Sequence, residues 1–137
     1  MSNRSAILDD HLTFEWVLDY QIQLAMRYRY FVSIVMVTNG DGKIPIRRLL
    51  GQTVRACDQF FDLKEESAIV MPYTSQDEAC VAVNRYKKKS HGAVDLHFSI
   101  VSYPADATTA ATMLKTSKRL ISKARQSGLS VVMKERR

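Results

Sequence analysis

The chain has 137 residues, 46% hydrophobic and 25% charged, with 20 Lys and Arg against 14 Asp and Glu and a formal net charge of +6. That length suits one domain over residues 1–137, with a core large enough to need neither disulfides nor a structural metal. No apolar run approaches the ~20 residues of a membrane span, MSNRSAILDDHLTFEW lacks the apolar centre of a secretory signal, and Cys57 and Cys80 stand apart as small core residues, so a soluble chain in a reduced, cytoplasmic setting is expected.

From Thr13 onward, Phe14, Val17, Leu18, Ile22, Ala25 and Met26 recur at three-to-four spacing and predict an amphipathic helix that turns Trp16 and Tyr20 outward. FVSIVMV at 31–37 is β-branched and nearly free of polar residues, the pattern of a central strand covered on both faces. TNGDGK is a turn, and Pro45 starts a second helix that shares Ile46, Leu49, Leu50 and Val54 on one face and ends near Asp58. Two short extended segments around 60–63 and 67–71, with Lys64, Glu65 and Glu66 between them, predict a β-hairpin.

Ser75 and Glu78 form a capping box ahead of a third helix carrying Ala79, Ala82, Val83 and Tyr86, and Gly92 breaks it. In VDLHFSIV, Val94, Leu96, Phe98 and Ile100 alternate with Asp95, His97 and Ser99, which predicts a strand with one face toward the core and His97 on the surface. Met113, Leu114, Ser117, Leu120, Ile121 and Ala124 then mark a helix that Gly128 ends, and SVVM at 130–133 is a last strand. The order α-β-α-β-β-α-β-α-β holds a ferredoxin-like βαββαβ core within an α/β (α+β) chain, with an N-terminal helix and an extra C-terminal strand. His11, His91 and His97 show no ligand spacing, there is no P-loop or nucleophile elbow, and no metal or cofactor is expected.

Several strings resemble the GGDEF domain, the family of diguanylate cyclases and their non-catalytic relatives. LTFEWVLDYQIQLAMRYRYFVSIVMV looks like the family's opening helix and first strand, and LGQTVRACDQFFDLKEESAIVMP resembles the segment holding its signature hairpin. FSIVSYPADATTAATMLKTSKRLISKARQSG is similar to the family's SIGVAxYPxDGxxxxxLLxxADxALYxAKxxGRN.

The resemblance implies that Leu63, Lys64, Glu65, Glu66 and Ser67 occupy the Gly-Gly-Asp-Glu-Phe positions, with side chains where the family's glycines let the backbone approach a nucleotide. It also implies that Thr38 stands where the first strand supplies a metal-binding aspartate, with Asp41 only a displaced substitute. GDGKIPIRRLL replaces a longer insert that carries base-recognising residues, so the signature reads as degenerate and cyclase activity as lost.

Two functions follow from the resemblance: a non-catalytic signalling module that contacts another protein, with Trp16 and Tyr20 or Lys115, Lys118 and Arg119 as surfaces, or a receptor that binds cyclic di-GMP through Arg55 and Asp58 of RACD. Homodimerisation and a bacterial source are expected by analogy with the family. The charge alone permits a third class, nucleic-acid binding, although Tyr86 is the aromatic nearest the basic run Lys87, Lys88 and Lys89.

Overall fold

In the computed structural model, which describes residues 10–40, 45–50, 53–90 and 95–134, the described segments form four helices and five strands. They are α1 (Asp10–Tyr28), β1 (Val32–Asn39), α2 (Ile46–Leu50), β2 (Gln59–Asp62), β3 (Ser67–Pro72), α3 (Gln76–Ser90), β4 (Leu96–Tyr103), α4 (Ala110–Ser127) and β5 (Val131–Met133). The sheet runs β2-β3-β1-β4-β5. β1 lies at its centre, antiparallel to β3 and to β4, while β5 joins β4 in parallel. This is the expected ferredoxin-like α+β order, a split βαβ pair with helices on both faces.

Seven of the eight β1 residues are buried, as its unbroken apolar run predicts. Val32, Ile34 and Met36 face α1 and α4 and pack with Phe14, Leu18, Met113, Leu120 and Ile121. Val35 and Val37 face the opposite layer, against Leu50, Ala79, Val83 and Tyr86 of α2 and α3. Ser33 survives in this apolar strand because its hydroxyl donates to the Thr74 carbonyl at 2.8 Å and meets Ser102 Oγ at 2.7 Å.

The helix ends follow their chemistry. The Ser75 N–H donates to Glu78 Oε1 at 2.9 Å and the Glu78 N–H donates to Ser75 Oγ at 3.3 Å, the reciprocal capping box expected at α3. Those bonds hold the Glu78 carboxyl below its usual range. Thr109 Oγ1 accepts the Thr112 N–H at 3.1 Å at the start of α4, and Gly128, at φ 68°, closes it in the left-handed conformation. At the start of α1, Asp10 Oδ2 accepts the Asp62 N–H of β2 at 2.9 Å.

Some expectations need correction. β4 is buried on both faces, and His97 is 6% exposed, not a surface residue. α4 lies low over the polar side of β4 because the residues there are small: Ser99 Oγ donates to the Ser117 carbonyl at 3.3 Å, and His97 Nδ1 meets the Leu129 carbonyl at 2.7 Å. Met26 of α1 is exposed, and Cys57 is exposed while Cys80 is half-buried, so neither cysteine belongs to the inner core. The described part of α2 ends at Leu50, and residues 53–58 form turns in place of the expected helical extension to Asp58. The readings placed on Asp41, His91, Gly92 and Val94 lie outside the described residues.

Candidate functional site

The hairpin between β2 and β3 forms as predicted, with Asp62 opposite Ser67 and the loop 63–66 between them. The Leu63 N–H donates to the Glu66 carbonyl at 2.9 Å, the Glu65 N–H donates to the Leu63 carbonyl at 3.0 Å, and the Lys64 N–H donates to Asp62 Oδ1 at 3.1 Å. Every turn of this loop is therefore fixed by a short-range bond.

Leu63 is 2% exposed and belongs to the core beneath α1 and α4, in the same cluster as Phe14 and Phe61. Lys64 has φ 76°, the left-handed region that costs a residue with a Cβ about 1 kcal/mol or more. Glu65 is exposed, whereas Glu66 and Ser67 are buried at 8% and 4% exposure. Leu63 thus turns into the core, while Lys64, Glu65, Glu66 and Ser67 border one hollow. Behind them Thr38 Oγ1 donates to the Glu65 carbonyl at 3.3 Å, so the last turn of β1 is bonded to the hairpin backbone. A shallow polar hollow opens beside the loop, lined by Asn39, Pro45, Lys64, Glu65 and Glu66.

Arg55 and Asp58 do come together. The Asp58 N–H donates to the Arg55 carbonyl at 3.0 Å, closing a turn that sets Arg55 Nε 3.5 Å from Asp58 Oδ2. The Arg55 side chain is 51% exposed and the Asp58 carboxylate 0%. Arg55 Nη2 also donates to Thr74 Oγ1 at 3.0 Å, and that hydroxyl donates to the Pro72 carbonyl at 2.9 Å. The guanidinium therefore bridges the turn to the end of β3. The Asp58 charge holds the Arg55 proton more tightly than usual. Asp58 accepts a long contact from Cys57 Sγ at 3.7 Å, and among the described residues its Oδ2 makes no hydrogen bond beyond the ion-pair contact with Arg55 Nε. Tyr86 lies on the same side of the sheet. Burial, with the Asp58 charge second, pushes its phenol up to about 12.

Sequence reasoning named two outer surfaces separately, and the fold brings them together. Trp16 and Tyr20 stack on the outside of α1 with ring centroids 5.5 Å apart and planes 3° from parallel. Beside them α1 and α4 bound a furrow whose walls carry Glu15 and Asp19 on one side and Lys115 and Lys118 on the other. The aromatic expected near Lys87, Lys88 and Lys89 is absent from that surface, because Tyr86 is wholly buried against Phe98.

Among the described residues no three His, Cys, Asp or Glu side chains gather as a metal would require, and no helix is long and apolar enough to cross a membrane. The sequence matches no protein-family model and no curated protein. Solved structures do match. The GGDEF domain of YfiN from Pseudomonas aeruginosa superposes with a TM-score of 0.78 at 18% identity, covering 92% of this chain and 96% of that one. The diguanylate cyclase SiaD of the same organism, solved with its activator SiaC, gives a TM-score of 0.76 at 13% identity over 89% of this chain and 57% of that one. A microbial GGDEF domain solved to show its interaction with cyclic di-GMP gives 0.72 at 15% identity over 89% and 91%. This chain has the fold of GGDEF domains.

Proposed function

We propose that this chain is a GGDEF-fold module that acts by contact with another protein and does not cyclise GTP. The observation that carries this reading is Leu63. At the first signature position, where the fold's cyclases place a glycine, the side chain is packed into the core. Leu63 therefore serves the stability of the hairpin, and restoring a glycine there would empty part of the core.

Among the described residues no three acidic, His or Cys side chains gather as the magnesium implied by the fold family would require, and Thr38 offers a hydroxyl where the resemblance expects a carboxylate. That a GGDEF-fold cyclase has been solved with an activator protein supports contact as a use of the fold.

The test is a turnover assay. Purified chain incubated with GTP and magnesium or manganese is expected to yield no cyclic di-GMP by mass spectrometry, and product that grows with protein concentration would overturn the reading.

A second reading, a cyclic di-GMP receptor built on Arg55 and Asp58, is supported by the half-exposed guanidinium and by the solved complex of a GGDEF domain with that nucleotide. Against it stands the Asp58 carboxylate, sealed from solvent and unable to accept from a guanine edge until the turn opens. Calorimetric titration of cyclic di-GMP into the wild type and Arg55→Ala separates the two: heat in the first and none in the second establishes the receptor.

A further inference from the structure

At the end of the sheet opposite the β2–β3 hairpin, where β1 begins and β3 and β4 finish, Phe31 and Tyr103 form a ridge between two hollows. The hollow on the α1 side holds about 220 Å³ and is walled by Met26, Arg29, Tyr30 and Pro104. The one on the α3 side holds about 200 Å³, beside Gln76, Asp77 and Ala105. Each is smaller than the roughly 300 Å³ at which pockets for small organic ligands begin. Phe31 is 53% exposed, and Tyr73, 70% exposed, stacks on Tyr30 with ring centroids 3.9 Å apart.

The backbone under this ridge is fixed. The Phe31 carbonyl accepts the Thr74 N–H at 3.1 Å, and the Arg29 and Tyr30 N–H groups both donate to the Ala25 carbonyl, at 2.7 and 3.3 Å. The Tyr30 hydroxyl donates to Gln21 Oε1 at 3.1 Å. Arg29 and Tyr73 stand at φ 59° and 55°, left-handed conformations that the surrounding structure must hold in place. Aromatic groups presented to water on so rigid a base lose little freedom when they bind.

We propose that this end of the sheet binds a proline-rich segment of a partner protein in the polyproline II conformation. Shape and charge together select this occupant. A peptide adding as a strand finds no sheet margin here, since β1 is the central strand, and a helix needs one continuous groove, which the Phe31–Tyr103 ridge interrupts. A polyproline II chain advances about 9 Å per three-residue turn, so prolines three apart straddle a ridge one aromatic pair wide. Its backbone carbonyls have no internal partners, and the Tyr103 phenol and the Gln76 amide, which border the hollows, are donors for them.

Arg29 stands in one hollow and Asp77 in the other, both exposed and, among the described residues, in no ion pair. A segment with an acid at the Arg29 end and a base at the Asp77 end is complementary at both. The Asp77 carboxylate disfavours a single-stranded nucleic acid, whose phosphates would run past a like charge. The inference rests on the protein-contact reading and names the chemistry of the partner. A cyclase product would refute that reading, and a chain that ignores proline-rich peptide would refute only this inference.

The probe is a fluorescein-labelled, amidated synthetic peptide, Glu-Pro-Pro-Ala-Pro-Pro-Ala-Pro-Pro-Lys, titrated with the full chain to roughly 1 mM and read by anisotropy. Saturable binding is expected, roughly tenfold tighter than that of the same peptide with alanine at every proline, because the proline chain is already ordered. Phe31→Ala and Tyr73→Ala, both at exposed positions, should each weaken binding roughly tenfold with an unchanged far-ultraviolet spectrum. R29E/D77K should bind best the peptide whose terminal charges are exchanged. A wild type that fails to saturate, an alanine peptide that binds as well, or oligothymidylate captured through Phe31 while the peptide stays free, overturns the proposal.

Discussion

Replacing Arg55 by alanine tests whether RACD is a structural clasp. The Asp58 carboxylate is wholly buried, and among the described residues the cation that faces it is Arg55 at 3.5 Å, beside a thiol at 3.7 Å. Removing the guanidinium leaves a desolvated charge without compensation and also frees Thr74 Oγ1 of its donor. Full loss of a buried pair costs about 3–5 kcal/mol. The 51% exposure of Arg55 places this pair at the protein's edge, so about 2 kcal/mol is expected.

For 137 residues the unfolding entropy near the midpoint is about 0.29 kcal/mol/K, which converts that loss into a fall in Tm of about 7 °C. Calorimetric melts of wild type, R55A, D58A and R55A/D58A read it. The double variant should be more stable than the sum of the single losses implies, since it carries no stranded charge. A fall below about 1 °C in R55A would show that Asp58 needs no counter-charge, and the structural account of the motif would fail.

Lys64→Gly should raise Tm by about 2–3 °C, because relief of the left-handed strain exceeds the added freedom of the unfolded chain by roughly 0.5–1 kcal/mol; a lower Tm refutes the strain. Leu63→Gly should cost roughly 3–5 kcal/mol in urea unfolding through the cavity it leaves, without producing cyclase activity. Tyr86→Phe should leave stability at pH 7 within about 0.5 kcal/mol of wild type, since the lost hydroxyl has no hydrogen-bond partner among the described residues. The alkaline limb supplies a second reading: the unfolded phenol ionises near pH 10 and the folded one near 12, so wild type loses stability from about pH 10 to 12 and the phenylalanine variant lacks that loss. Thr109→Ala removes the cap of α4 and should cost about 1 kcal/mol in the same unfolding assay.

Period and punctuation were enough to read most elements from the chain. The unbroken run of β1, the Ser75–Glu78 box and Gly128 each specify local geometry that tertiary packing then uses. His97 was misplaced because alternation reports which residues are apolar and says nothing of a helix that packs on the polar face. Nothing local to Ser99 announces that Ser117, 18 residues on, will lie above it. The stretch 53–58 was read as helix because Val54 continues the apolar spacing of Ile46, Leu49 and Leu50, yet there the Asp58 N–H closes a tight turn on the Arg55 carbonyl. Of the candidate site, its residues were legible and their directions were not. Leu63 entering the core and Asp58 losing its solvent depend on what lies beneath each, and the furrow requires two helices more than 80 residues apart in sequence to meet.

The Asp10 carboxylate that holds the Asp62 N–H has a consequence for how this protein meets others. β2, at one margin of the sheet, is four residues long and has its last outward donor already taken, and β5 at the other margin offers three residues. An extended peptide seeking to extend the sheet finds little unpaired backbone on either side, which also denies misfolded neighbours a template. The protein contact proposed for this chain would then fall to side chains on the helical faces and beyond the strand ends, where a single substitution can change the surface without disturbing the sheet.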